Sequence, residues 1–167
     1  VLHNLDWNIS IKQLHLYWKC LHNIYKVSLV HNQAAWHDLY KMKLSTGERT
    51  LIRQNSAEDR ITGWDFDWND KLRLASRANQ DGTNDILRVD ENGFTPIYTT
   101  SIFEQAYTLA FDKDNKRIYM VTNKGDNRNL SQLVLLDPVT MKEELVESDP
   151  MQRVDFGSAA FSVVTHD

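Results

Sequence analysis

"HDLYKMKLSTGERTLI" (residues 37–52) reads as two short strands around a Ser-Thr-Gly turn, and the fold follows from how often it recurs. Forty-seven positions on stands "NDILRVDENGFTPIY" (84–98), and 47 further "SQLVLLDPVTMKEEL" (131–145). In this register Leu39, Ile86 and Leu133 coincide, then Tyr40, Leu87 and Val134, then Met42, Val89 and Leu136. Lys43 falls with Asp90 and Asp137, just before the turns "STGE", "ENGF" and "PVTMK". Gly and Asn tolerate the positive φ of a tight turn, so each segment is expected to form a β-hairpin.

Upstream of each hairpin lies another short apolar run: "VSLVHN" (27–32), "LRLASR" (72–77) and "IYMVTN" (118–123). Before the last two come "TGWDFDWNDK" (62–71) and "YTLAFDKDNK" (107–116). There Trp64 and Phe66, like Leu109 and Phe111, alternate with small or polar residues, as half-buried strands do. Trp64 and Leu109 are expected at equivalent buried positions, with Phe66 and Phe111 beside them. Four strands in a meander of this period are the blade of a β-propeller. The expected fold class is therefore all-β, a partial propeller of about three four-stranded antiparallel blades.

Blades are expected at 25–55, 61–100 and 103–148, the first without a recognisable opening strand. A lone first strand, "FGSAAFSVV", is expected at 156–164. Residues 24–167 thus form the partial propeller. Residues 1–23 stand apart: Ile9 and Ile11 alternate, whereas Leu14, Tyr17, Trp18 and Leu21 have helical spacing, and neither pattern prevails.

Composition narrows the function. The chain has 167 residues, 41% hydrophobic and 25% charged, which is ordinary for a globular protein. The net charge is −4 and the signs are interspersed, which argues against a nucleic-acid partner. A single cysteine, Cys20, excludes a disulfide framework and a CxxC metal site. No apolar run approaches the roughly 18 residues of a membrane span. With no signal pattern at the N-terminus, the expectation is a cytoplasmic chain without membrane contact.

The stretch 27–150 resembles the non-catalytic β-propeller of the prolyl-oligopeptidase (S9) family, especially its acylaminoacyl-peptidase and dipeptidyl-aminopeptidase-like members. The residues that carry the resemblance are "HNQAAWHDLYKMKLSTGERTLI", "ITGWDFDWNDKLRLASR", "FTPIY" and "KRIYMVTNKGDNRNLSQLVLLDPVTMKEELVESDP". TolB-like and WD40-like repeats share much of this grammar, although Trp64-Asp65 lies in a first strand and not at the WD40 position. In that family the propeller gates a separate α/β-hydrolase domain, whose nucleophile sits in a G-x-S-x-G elbow. No G-x-S-x-G occurs here; in "FGSAAF" Ser158 follows Gly157 but no second glycine comes. The resemblance therefore implies kinship with a peptidase without its catalytic residues, and no substrate-gripping residue can be matched.

Other constellations have structural explanations. "DFDWND" (Asp65, Asp67, Asp70) and "DKDNK" (Asp112, Asp114, Asn115) glance at a calcium loop. From Asp112, however, the sixth position is Arg117 and the twelfth Asn123, where an EF-hand needs Gly and Glu. Asx turns between first and second strands are expected instead. The histidines are His3, His15, His22, His31, His37 and His166. His31 and His37 flank one hairpin loop without a visible third zinc ligand.

Tyr25, Tyr40, Tyr98, Tyr107, Tyr119, Trp36, Trp64 and Trp68 could stack carbohydrate, but pack sheet on sheet in most propellers. His166, Asp155 and Ser158 make a triad only on paper. The expected role is thus a non-catalytic propeller module that binds or scaffolds a protein or peptide. No catalytic, metal or cofactor residues are assigned, and homo-oligomers through open blade edges are expected. The C-terminal strand of one copy would complete the first blade of another. The alternative is a fragment or partner chain of an S9 peptidase.

Overall fold

The computed structural model describes residues 36–43, 45–126, 128–162 and 164–166, and the backbone of Ile24–Val30. Residues 1–23 and His31 lie outside that description. The described residues form eleven strands and no helix. The strands build three antiparallel sheets of propeller-blade type, one of three strands and two of four. Their contacts divide the chain into two units, 1–61 and 62–167.

The first unit carries β1 (Ile24–Val30), β2 (His37–Lys43) and β3 (Arg49–Arg53), in the order β1-β2-β3. Gly47, at φ 72°, supplies the left-handed residue that the β2–β3 turn needs. Its amide and that of Thr46 both donate to the Lys43 carbonyl. Beyond β3 the chain is clasped by Asn55: its Nδ2 donates to the carbonyls of His37 (3.2 Å) and Ile61 (2.8 Å), and its Oδ1 accepts from Ile61 N. One buried amide thereby satisfies three backbone groups that would otherwise be costly to bury.

The second unit holds two complete blades. Blade 2 is β4 (Ile61–Phe66), β5 (Leu72–Ala78), β6 (Asn84–Asp90) and β7 (Gly93–Thr100), paired in sequence order. Blade 3 is β8 (Ala106–Phe111), β9 (Ile118–Thr122), β10 (Gln132–Leu136) and β11 (Glu143–Glu147), likewise consecutive. The hairpins β2–β3, β6–β7 and β10–β11 are those the 47-residue repeat anticipates. Leu74, Ile86, Ile97 and Tyr98 of blade 2 pack against Phe111, Ile118, Met120, Val134 and Leu136 of blade 3. Each such side chain contributes roughly 1.5–3 kcal/mol when fully buried. The outermost strand β11 is exposed throughout and carries Glu143, Glu144 and Glu147, charges that discourage pairing with a foreign strand.

Two sequence expectations need correction. Trp64 and Phe111 are buried, but Leu109 and Phe66 are only half-buried. The β8–β9 register shifts between Thr108 and Ala110, so Leu109 sits in a bulge that breaks the alternation. Second, residues 155–162 form no strand. A strand requires a partner ladder, and these residues have none. The chain instead curls: the amides of Val164 and Thr165 donate to Ser162 Oγ, and His166 N donates to the Ser162 carbonyl.

Candidate functional site

Blades 2 and 3 are joined at one end by their first turns. Asp67 Oδ1 accepts from the amides of Asn69 and Lys71, and Asp112 Oδ1 from those of Lys116 and Arg117. Asp70 (φ 63°) and Asn115 (φ 55°) occupy the same left-handed corner of each turn, which Asp and Asn tolerate. Both loops are therefore Asx turns, closed around their own backbone. Across the junction Trp68 Nε1 donates to the Phe111 carbonyl (2.7 Å), and Trp68 N to Asn115 Oδ1 (2.8 Å). Arg73 donates to Asp67 and to the Asn115 carbonyl. Aspartate and tryptophan here serve the blade joint.

Asp65, in β4, accepts from Thr108 Oγ1 of β8 at 2.8 Å. Burial pushes its carboxyl up to about 6, against the smaller opposing effect of that hydrogen bond.

At the opposite end a polar recess of about 200 Å³ opens, lined by Thr62, Ser76, Arg77, Asp85, Tyr98 and Ala106 among others. Its centre is Asp85, which accepts from Arg77 Nε and Nη2, Asn79 Nδ2 and Thr99 Oγ1. Burial raises the Asp85 carboxyl, but the bonds from Thr99, Asn79 and Arg77 outweigh it and hold it below the ordinary range. Tyr98 shares a hydrogen bond with the Thr122 hydroxyl, Lys124 lies over its ring, and its phenol is pushed up to about 12, mainly by burial. The recess can exchange hydrogen bonds with a small polar group.

Near the recess, the β7–β8 loop exposes Ile102 and Phe103, the latter at 87%. Ile102 leans on the β5–β6 loop at Gly82, where φ is 87° and a Cβ would come within 2.7 Å of Ile102 Cγ2, so that only glycine fits.

The structure disperses the paper triad. Asp155 Oδ1 is taken by Ser131 N and Oγ, His166 stacks on Trp68 at 4.2 Å, and Ser158 is exposed. His37 is half-buried in β2, while its suggested zinc partner His31 is not described. Among the described residues no group of three His, Cys, Asp or Glu is arranged to hold a metal.

The aromatic residues split. Tyr98 is buried, Trp64 packs on Phe94, Trp36 lies under Arg60, Tyr119 meets Phe161, and Tyr107 is exposed. Among the described residues these rings are held in separate contacts. Sequence reasoning missed the Asp85 network, although a signal existed: Asp85 falls 47 positions after Asp38, which accepts from Asn55 N. Both aspartates anchor the start of a repeat hairpin.

No helix among the described residues is long and apolar enough to cross a membrane. No family model matches the chain, and no solved structure does. The chain is 34% identical over 134 residues to dipeptidyl aminopeptidase BIII of Pseudoxanthomonas mexicana. The match takes in 78% of this chain but only 19% of that protein, so the chain spans about a fifth of its relative's length. An all-β, blade-built chain with this similarity is related to the S9 peptidases.

Proposed function

We propose that the chain is part of the non-catalytic propeller of an S9 peptidase, acting as gate and filter for an α/β-hydrolase domain outside the sequence described. The observation that carries this is the 134-residue similarity to a dipeptidyl aminopeptidase, together with the blade architecture of the matched region. The Asp85 recess and the Ile102–Phe103 loop share one end of blades 2 and 3. That end suits contact with a peptide or with the partner domain. Ile102 and Phe103 also favour a second reading, a propeller module that binds a protein partner in its own right.

Two measurements test the proposal. The chain alone should not turn over dipeptidyl p-nitroanilides or react with a fluorophosphonate probe. Labelling lost on Ser158→Ala would contradict it. The reading frame that encodes the chain should run into a strand–G-x-S-x-G–helix segment. A frame closed around these blades would favour the independent binding module.

A further inference from the structure

Asn92 and Gly93 form the one Asn-Gly pair in the chain. They stand where the β6–β7 hairpin reverses: Asp90 pairs with Gly93, so Glu91 and Asn92 make a two-residue loop. Asn92 is exposed, and its side chain makes no hydrogen bond among the described residues. A Cβ built on Gly93 would meet nothing within 4 Å, so the space beside this peptide group is open. An asparagine followed by glycine is the most open to attack by the backbone on its own side chain, because the next residue has no Cβ to block the approach.

The other candidates are protected in ways that can be named. Asn55, Asn79, Asn115 and Asn123 are each held through their own amide, and a residue with a side chain follows each. Asn69, Asn84 and Asn129 are exposed but precede Asp70, Asp85 and Leu130. Asp81 and Gly82, the one Asp-Gly pair, could form the same ring. There, however, the carboxylate accepts from Thr83 N and Oγ1, and Gly82 is crowded by Ile102. In the other repeat hairpins the places of Asn92 and Gly93 are taken by Ser45 and Thr46 and by Val139 and Thr140.

We propose that Asn92 is a site of spontaneous deamidation. The Gly93 amide nitrogen attacks Asn92 Cγ, and a C–N bond forms. The Cγ–Nδ2 bond breaks, and Nδ2 leaves as ammonia with the proton that Gly93 N gives up. Water then opens the five-membered succinimide at either carbonyl. Opening at the side-chain carbonyl leaves aspartate, and opening at the main-chain carbonyl leaves isoaspartate, whose backbone is longer by a carbon. The consequence is local to blade 2. The loop sets the register of Val89 with Phe94 and of Arg88 with Thr95. Phe94 packs on Trp64 with ring centroids 6.0 Å apart, and Thr95 Oγ1 donates to Asp90. A longer backbone in a two-residue loop cannot keep all of these, because loop length fixes the hairpin register. A charge added beside Glu91 without that lengthening leaves the path of the chain unchanged.

Ageing of the full chain tests it. The protein is held in mildly alkaline buffer, cut with trypsin and read by mass spectrometry that distinguishes aspartate from isoaspartate. The tryptic peptide 89–113 carries Asn92 as its only asparagine. It should gain both products, while the peptides with Asn69, Asn84 and Asn129 stay unmodified. Gly93→Ala, which the open space accommodates, should slow the change roughly tenfold. Amides of Phe94 and Thr95 should exchange roughly tenfold faster in the isoaspartate fraction, and at the ordinary rate in Asn92→Asp. Modification at Asn92 no faster than at Asn69 or Asn129, or unaffected by Gly93→Ala, overturns the site. Equal exchange in the isoaspartate form and in Asn92→Asp overturns the register effect. Neither result bears on the peptidase reading.

Discussion

The two faces of blade 3 are built from the same alternating strands, β9 and β10, yet they are closed by different means. Toward blade 2 the closure is a sheet: Ile118, Met120, Val134 and Leu136 meet four side chains of blade 2 and Phe111. Trp68, Arg73 and Asp65 bridge the same junction with hydrogen bonds. Away from blade 2 the closure is a tail held by the Ser131–Asp155 clasp and one ring contact at Tyr119, while His166 near the end of the tail stacks on Trp68 of the β4–β5 turn. A repeat sequence can write a strand, but hydrogen bonding to a neighbour makes one.

The comparison predicts unequal sensitivity. Phe111→Ala should cost about 3–5 kcal/mol in denaturant titration, the usual cost of emptying a fully buried aromatic site. Lys113→Ala, in the exposed turn two residues on, should stay within about 0.5 kcal/mol. Equal effects would mean that the blade register is wrong.

The legible part of the fold is the part that repeats. The hairpins at 37–52, 84–98 and 131–145 could be placed because their apolar positions and turn residues recur at one offset. The Asx turns at Asp67 and Asp112 could be read from residue type. What was hidden depends on partners distant in sequence. The bulge at Leu109 arises from pairing with β9, and the links from Trp68 to Phe111 and from Asp65 to Thr108 cross more than forty residues. The tail misled because "FGSAAFSVV" has strand composition, which says nothing about whether a ladder stands beside it. The Asp85 recess escaped because its lining comes from five strands, β4 to β8, while the triad assembled from His166, Asp155 and Ser158 ignored where each is held.

Asp65 sharpens the junction side of the comparison. Its carboxyl is raised from 3.8 to about 6 in the folded chain, so between those values the unfolded chain releases its proton first. Stability should therefore fall as pH rises from about 4 to 6 and level off above. Asp65→Asn keeps an acceptor for Thr108 and removes the buried charge. It should raise stability at pH 7 by about 2 kcal/mol and flatten the slope between pH 4 and 6. A variant less stable at pH 7, with the slope unchanged, would show that the carboxylate is stabilised by its surroundings.

Trp68→Phe keeps the ring beneath His166 and removes the donor to the Phe111 carbonyl. Leaving that acceptor unpaired should cost about 1–2 kcal/mol by thermal or urea melting. Phe161→Ala, on the tail side, should cost about 1 kcal/mol or less, since its ring is half-buried and opposed by a single aromatic neighbour. A larger loss at Phe161 than at Trp68 would reverse the ranking of the two faces.

Native-state hydrogen exchange of the intact chain measures the contrast most directly. Amides of β8, β9 and β10 should exchange only through global unfolding, and those of residues 157–161 should exchange faster by orders of magnitude through local opening of the tail. Uniform protection across blade 3 and residues 157–161 would contradict the account, because the tail would then be an integral strand of the folded unit.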